Sequence, residues 1–69
     1  MSTEKKLAKR LKELRIKAGL TQQELAEKAG IEYKHIQALE SPKNTHSPTL
    51  RTLEKISHAL KIDVSELLN

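Results

Sequence analysis

Residues 21–39 constrain the fold of this chain more than any other segment. They read TQQELAEKAGIEYKHIQAL. Thr21 and Glu24 have the spacing of a capping box, in which each side chain accepts a hydrogen bond from the other residue's backbone N–H. Gly30 followed by Ile31 is typical of a helix end, because glycine adopts the left-handed conformation and the next apolar residue packs back on the helix. These signals predict a short helix between Thr21 and Gly30, and a second short helix is expected directly after it.

The apolar positions of this segment place its two helices against one core. Those positions are Leu25, Ala29, Ile36 and Leu39. Ala26 is small where the second helix must cross the first closely. Two short helices joined by a tight glycine turn form a helix-turn-helix, a motif that inserts its second helix into the major groove of DNA.

Helical periodicity continues on both sides of this motif. The first helix is predicted from residue 2 or 3 to residue 18, and its apolar stripe is Leu7, Leu11, Leu14 and Ala18. The motif itself predicts helices over residues 22–29 and about 32–40. No segment has the alternation of a strand or the composition of a linker. We therefore predict an all-α protein in which residues 1–69 form one domain.

Two more helices are predicted in the C-terminal third. Ser47 followed by Pro48 is typical of a helix start, because serine caps the helix and proline is accommodated at its first position. Asp63 has the spacing of another cap. Leu67 and Leu68 are expected to form the buried face of the short helix that follows it.

Composition excludes several classes of function. The chain has 69 residues and no cysteine, which allows one modest core and no disulfide. Its histidines lack metal-ligand spacing and it has no glycine-rich phosphate loop, so we predict no enzyme, no metal and no cofactor. Without a bilayer-length apolar run or a signal peptide, a cytoplasmic protein is expected. The net charge of +4 favours polyanionic partners.

Much of this positive charge lies in the first predicted helix. Its basic residues are Lys5, Lys6, Lys9, Arg10, Lys12, Arg15 and Lys17. Such residues either attract phosphate or simply form a solvated helix face, and the sequence leaves both interpretations open.

Nearly the whole chain, from Leu7 to Leu68, resembles the phage Cro/repressor-type helix-turn-helix family, also called the XRE or lambda-repressor-like family. The resemblance rests on LKELRIKAGLTQQELAEKAGIEYKHIQALE and PTLRTLEKISHALKIDVSELL. It implies a compact five-helix domain that binds operator double-stranded DNA as a homodimer and regulates transcription, usually by repression. The alternative is a protein-interaction module on the same fold, such as an antitoxin or a bridging coactivator. That alternative requires a contiguous apolar patch on the second helix of the motif.

Three residues of the second motif helix are the candidates for base contact. Lys34 can donate to guanine O6 and N7, and Gln37 can pair with adenine N6 and N7. Tyr33 either contacts a thymine methyl or a phosphate, or closes the turn as a partly buried aromatic side chain. Ala38 is small where some members of the family place a base-contacting side chain.

The remaining candidate DNA contacts surround that helix. By resemblance, Thr21 and Gln22 match positions near the DNA backbone, and the Gln22 amide can serve a phosphate and a side chain at once. His35 lies beside the groove or in solvent. Lys43 and Asn44, in the loop that follows, are candidate contacts with the DNA backbone.

The resemblance also implies two structural features. Arg15 and Glu40 match an ion pair that ties the first helix to the end of the second motif helix, the recognition helix. Lys61 stands where related proteins often have glycine, so a left-handed conformation is expected there.

Three apolar residues near the C-terminal end are the candidate dimer surface. They are Ile62, Val64 and Leu68. The alternative is that they complete the core or are singly exposed.

Overall fold

Five α-helices make up the regular structure of the chain. The computed structural model describes residues 3–43 and 47–68, so the candidate contact Asn44 lies outside the described residues. The helices are α1 (Thr3–Lys17), α2 (Gln22–Ala29), α3 (Tyr33–Glu40), α4 (Leu50–Leu60) and α5 (Val64–Leu68). The described ranges contain no strand, and the all-α prediction is confirmed. No helix in those ranges is both long and apolar enough to cross a membrane.

The capping box at the start of α2 forms as predicted. Thr21 Oγ1 accepts a hydrogen bond from the Glu24 backbone N–H at 3.0 Å, and Glu24 Oε1 accepts one from the Thr21 N–H at 2.8 Å. This backbone N–H, followed by the Thr21 hydroxyl, lowers the pKa of Glu24. Because the folded-state pKa is lowered, the contribution to stability is present above the ordinary glutamate pKa and is lost as the pH falls through the lowered value.

Three helices end in the same left-handed turn. At the end of α2, Gly30 has φ 70° and the Ile31 N–H donates to the Ala26 carbonyl at 3.0 Å. Gly19, with φ 75°, closes α1 in the same way. Lys61 closes α4 with φ 59°. This geometry satisfies carbonyls that the helix end would otherwise leave without partners.

All five helices contribute to one apolar core. Its buried members are Leu7, Leu11, Leu25, Ala26, Ala29, Ile36, Leu39, Leu53, Ile56, Leu60 and Leu67. Leu25 and Ile36 are fully buried, one from each helix of the motif. The tight Gly30 turn and this shared core together fix how α3 crosses α2.

The predicted start of the fourth helix was wrong by about two residues. We expected Ser47 to cap it and Pro48 to begin it, whereas α4 begins at Leu50 with Thr49 as its cap. Thr49 Oγ1 accepts a hydrogen bond from the Thr52 N–H at 3.2 Å and its hydroxyl donates to Thr52 Oγ1 at 3.0 Å. Serine and threonine are both good helix caps, so residue type alone did not decide between Ser47 and Thr49.

Two predicted core positions are exposed. Leu68 leaves 57% of its surface exposed while Leu67 is buried. Successive helical residues are rotated by about 100°, so two adjacent leucines on a short helix do not both face the core. Ala18 is exposed because α1 ends at Lys17, and Ala8 is buried instead.

Replacing Lys61 with glycine is expected to stabilise the protein. A side chain in the left-handed conformation costs about 1 kcal/mol, and glycine removes that cost. For a domain of this size, the melting temperature should rise by roughly 4–8 °C. The matched control is Lys55→Gly in the interior of α4, which should lower the melting temperature by a similar amount. A fall in melting temperature for Lys61→Gly would contradict this account of the α4 end.

Candidate nucleic-acid interface

Helix α3 separates a buried face from an exposed one. Ile36, Leu39 and Glu40 are buried. The exposed residues are Tyr33, Lys34, His35, Gln37 and Ala38. Because each residue is rotated by about 100° from the last, Lys34 lies almost directly opposite the centre of the buried face. The α3 side chains predicted to contact DNA therefore lie on its solvent face.

Tyr33 begins α3 and exposes 43% of its surface. Part of its ring is therefore accessible to a ligand while the rest lies against the protein. This intermediate exposure is compatible with both interpretations drawn from the sequence, contact with DNA and closure of the turn.

The residue before α3, Glu32, is its N-cap, and its side chain makes no capping hydrogen bond to the helix.

The Glu40 carboxylate holds α3 against the two helices before it. Glu40 Oε2 accepts a hydrogen bond from Arg15 Nε at 2.7 Å, and Oε1 accepts one from Arg15 Nη2 at 3.1 Å. Arg15 Nη1 also donates to the Leu20 carbonyl at 2.7 Å, between α1 and α2. The Glu40 side chain is 2% exposed and that of Arg15 is 11% exposed. This bidentate, buried geometry is the strong form of an arginine–carboxylate pair.

Gln22 joins the same cluster from the start of α2. Its Nε2 donates to Glu40 Oε1 at 3.2 Å, and the residue is half-buried. We call Arg15, Gln22 and Glu40 the Glu40 cluster. In the described residues, no buried side-chain nitrogen or oxygen lacks a hydrogen-bond partner. The cluster therefore satisfies its buried polar atoms while linking three helices.

The other predicted contacts are more loosely placed. Thr21 is exposed, with its hydroxyl oxygen engaged in the α2 cap. Lys43 is exposed in the turn after α3, where its backbone N–H donates to Ser41 Oγ at 3.2 Å. Within residues 3–43 and 47–68, no three His, Asp or Glu side chains are grouped as a metal site.

The positive charge of α1 is divided between internal and exposed roles. Arg15 belongs to the Glu40 cluster, and Arg10 Nε donates to the Glu66 backbone carbonyl of α5 at 2.9 Å. The exposed α1 lysines of the described part are Lys6, Lys9, Lys12 and Lys17. Arg15 therefore makes the predicted pair with Glu40, and Arg10, for which the sequence left phosphate attraction or a solvated position open, contacts the protein itself.

Sequence reasoning missed two of these contacts. The Arg10–Glu66 bond joins residues 56 positions apart, and the Arg15 bond to the Leu20 carbonyl has a backbone acceptor. Neither leaves a signal in residue type or spacing. For Gln22, the sequence indicated a side chain able to serve two partners, and the contact with Glu40 gives the protein partner.

Comparison with known proteins identifies the family. A helix-turn-helix family model matches residues 11–67, which contain α2, α3 and α4 in full, so the chain belongs to the helix-turn-helix family. The predicted Cro/repressor-type, or XRE, membership is confirmed.

Among curated proteins, the chain is similar to the HTH-type transcriptional regulator SinR of Bacillus licheniformis. The two are 36% identical over 63 residues, which cover 91% of this chain and 56% of the relative. The chain thus spans little more than half the length of this relative.

Removing the charge of Glu40 alone is expected to destabilise the fold strongly. Glu40→Gln leaves the Arg15 guanidinium largely buried without its counter-charge, which should lower the free energy of unfolding by about 3 kcal/mol. The double variant Arg15→Met, Glu40→Met should recover most of that loss, because neither charge remains. Urea unfolding of wild type, Arg15→Met, Glu40→Met and the double variant measures the coupling. Equal stability of Glu40→Gln and wild type would contradict a structural role for the pair.

Proposed function

We propose that this protein is a sequence-specific, double-stranded-DNA-binding transcriptional regulator that acts as a homodimeric repressor. The observation that carries the proposal is the exposed face of α3, which presents Lys34 opposite the buried side of the helix and exposes His35 and Gln37 on either side of it. Membership of the helix-turn-helix family supports it, as does the relative described as a transcriptional regulator. The same face bears no contiguous apolar patch, which disfavours the protein-interaction alternative.

Base recognition is assigned to three residues of α3. Lys34 donates from its ammonium group to guanine O6 and N7, and Gln37 pairs its amide with adenine N6 and N7. Tyr33 contributes its half-exposed ring or hydroxyl at the edge of the groove. His35 lies further around the helix and contacts the flanking phosphates.

Backbone contacts hold α3 in register with the base pairs. We assign them to Thr21 and Gln22 at the start of α2 and to Lys43 and Asn44 after α3. Phosphate contacts of this kind supply affinity and orientation without sequence information. Gln22 has a particular position, because one N–H of its amide donates to Glu40 while the other N–H can donate to a phosphate oxygen.

Repression follows from occupancy of the operator by a dimer. One α3 of eight residues covers few base pairs, and a dimer doubles the site by placing two such helices about 34 Å apart on one face of DNA. We assign the dimer surface to Ile62, Val64 and Leu68. Leu68 is exposed, while the other two are half-buried. Dimerisation makes operator occupancy depend on protein concentration.

The first test is selection of bound sequences from random duplex DNA, followed by variants of the base-contacting residues. The double variant Lys34→Ala, Gln37→Ala should weaken binding to the selected operator by about 10- to 100-fold, because bidentate base contacts are lost. Binding to non-specific DNA should change much less. Lys55→Ala, an exposed lysine on α4, is the control for loss of charge. An unchanged operator affinity for the double variant would overturn this assignment.

The second test concerns the dimer. Leu68→Glu should shift sedimentation equilibrium from dimer towards monomer, because it places a charge within the assigned apolar surface. Leu50→Glu is the matched control, since Leu50 is an exposed leucine at the start of α4, outside the assigned surface. A wild-type protein that stays monomeric, even on its operator, would overturn the homodimer proposal. A dimer unaffected by Leu68→Glu would instead move the surface elsewhere.

A further inference from the structure

Ala38 is an exposed apolar residue between polar neighbours on the outer face of α3. It lies four positions after Lys34, and residues at this spacing are stacked on the same side of a helix. Both lie close to the direction opposite Ile36 and Leu39, which are buried. Ala38 therefore occupies part of the surface that enters deepest into a groove occupied by α3.

An alanine at this position distinguishes a base edge that carries a methyl group from one that carries only polar groups. The major-groove edges of the bases present hydrogen-bond donors and acceptors, and thymine also presents a methyl group. A methyl side chain pressed against a polar edge displaces water without replacing its hydrogen bonds, which is unfavourable. Against the thymine methyl it buries two apolar surfaces instead.

We propose that Ala38 makes this protein selective for a C5-methyl group on a pyrimidine of its operator. The proposal deepens the DNA-binding function proposed above and rests on it. Thymine is the DNA base that normally carries this methyl group, and 5-methylcytosine carries the same group at the same ring position. A four-residue separation amounts to about 6 Å along α3, so the methylated pyrimidine lies roughly two base pairs from the base contacted by Lys34.

The experiment removes or adds one methyl group of the DNA at a time. Each thymine of the selected operator half-site is replaced by deoxyuridine, which differs only in the methyl. Wild-type binding should fall about fourfold at one position near the Lys34 contact, the expected effect of one buried methyl. At that position, a 5-methylcytosine–guanine pair should be bound about fourfold more tightly than a cytosine–guanine pair.

Variants of Ala38 assign that effect to its side chain. Ala38→Gly should bind the thymine and deoxyuridine operators equally, because the contacting methyl has been removed from the protein. Ala18→Gly, at another exposed alanine outside α2 and α3, should retain the wild-type ratio. If glycine destabilises α3 too far for measurement, Ala38→Ser is used, and its hydroxyl should reduce the preference for thymine.

The outcomes separate this proposal from the one on which it rests. An operator that is bound tightly but shows no methyl-sensitive position overturns the role of Ala38 and leaves sequence-specific binding intact. The role of Ala38 is also overturned if Ala38→Gly keeps the wild-type methyl sensitivity, in which case Ala38 serves only as a small spacer. Failure to select any operator overturns both proposals.

Discussion

One buried carboxylate ties the recognition helix α3 to the two helices that precede it. Glu40 receives Arg15 from α1 and Gln22 from α2, and it is the last residue of α3. Burying such charges is costly, so their attraction adds little net stability over an apolar core. The cluster adds geometric specificity to the apolar packing, because a bidentate arginine–carboxylate pair restricts the relative placement of α1 and α3.

The same cluster connects the fold to the proposed DNA surface. Gln22 contributes to it from the first residue of α2, where helix N-termini of this motif meet the DNA backbone. A phosphate bound at that amide would therefore act on a group already bonded to Glu40. In this arrangement, two hydrogen bonds connect the DNA backbone to α3: one from the Gln22 amide to the phosphate and one from the same amide to Glu40. A substitution of Gln22 that leaves the Arg15–Glu40 pair intact should therefore affect DNA binding more than stability.

Local signals predicted most of this structure, and the errors arose where two local signals competed or where a short helix met its neighbours. The capping box of Thr21 and the turn at Gly30 involve residues within a few positions of one another, so the sequence reveals them directly. The start of α4 depended on competition between two good caps, Ser47 and Thr49, which periodicity does not decide. The exposure of Leu68 depended on how a helix of five residues meets its neighbours. For the candidate site, periodicity predicted which α3 residues face outward, whereas the DNA sequence they contact depends on a partner outside the chain.

The distribution of charge separates affinity from specificity. The net charge of +4 arises from many exposed lysines, and such charges attract any phosphate backbone regardless of sequence. In the proposed function, specificity is left to the few side chains on one short helix, among which Ala38 has no polar group. With so few contacts, a single copy would discriminate weakly among the many competing sites of a genome. In the proposed homodimer, two copies bound to neighbouring half-sites would multiply that discrimination.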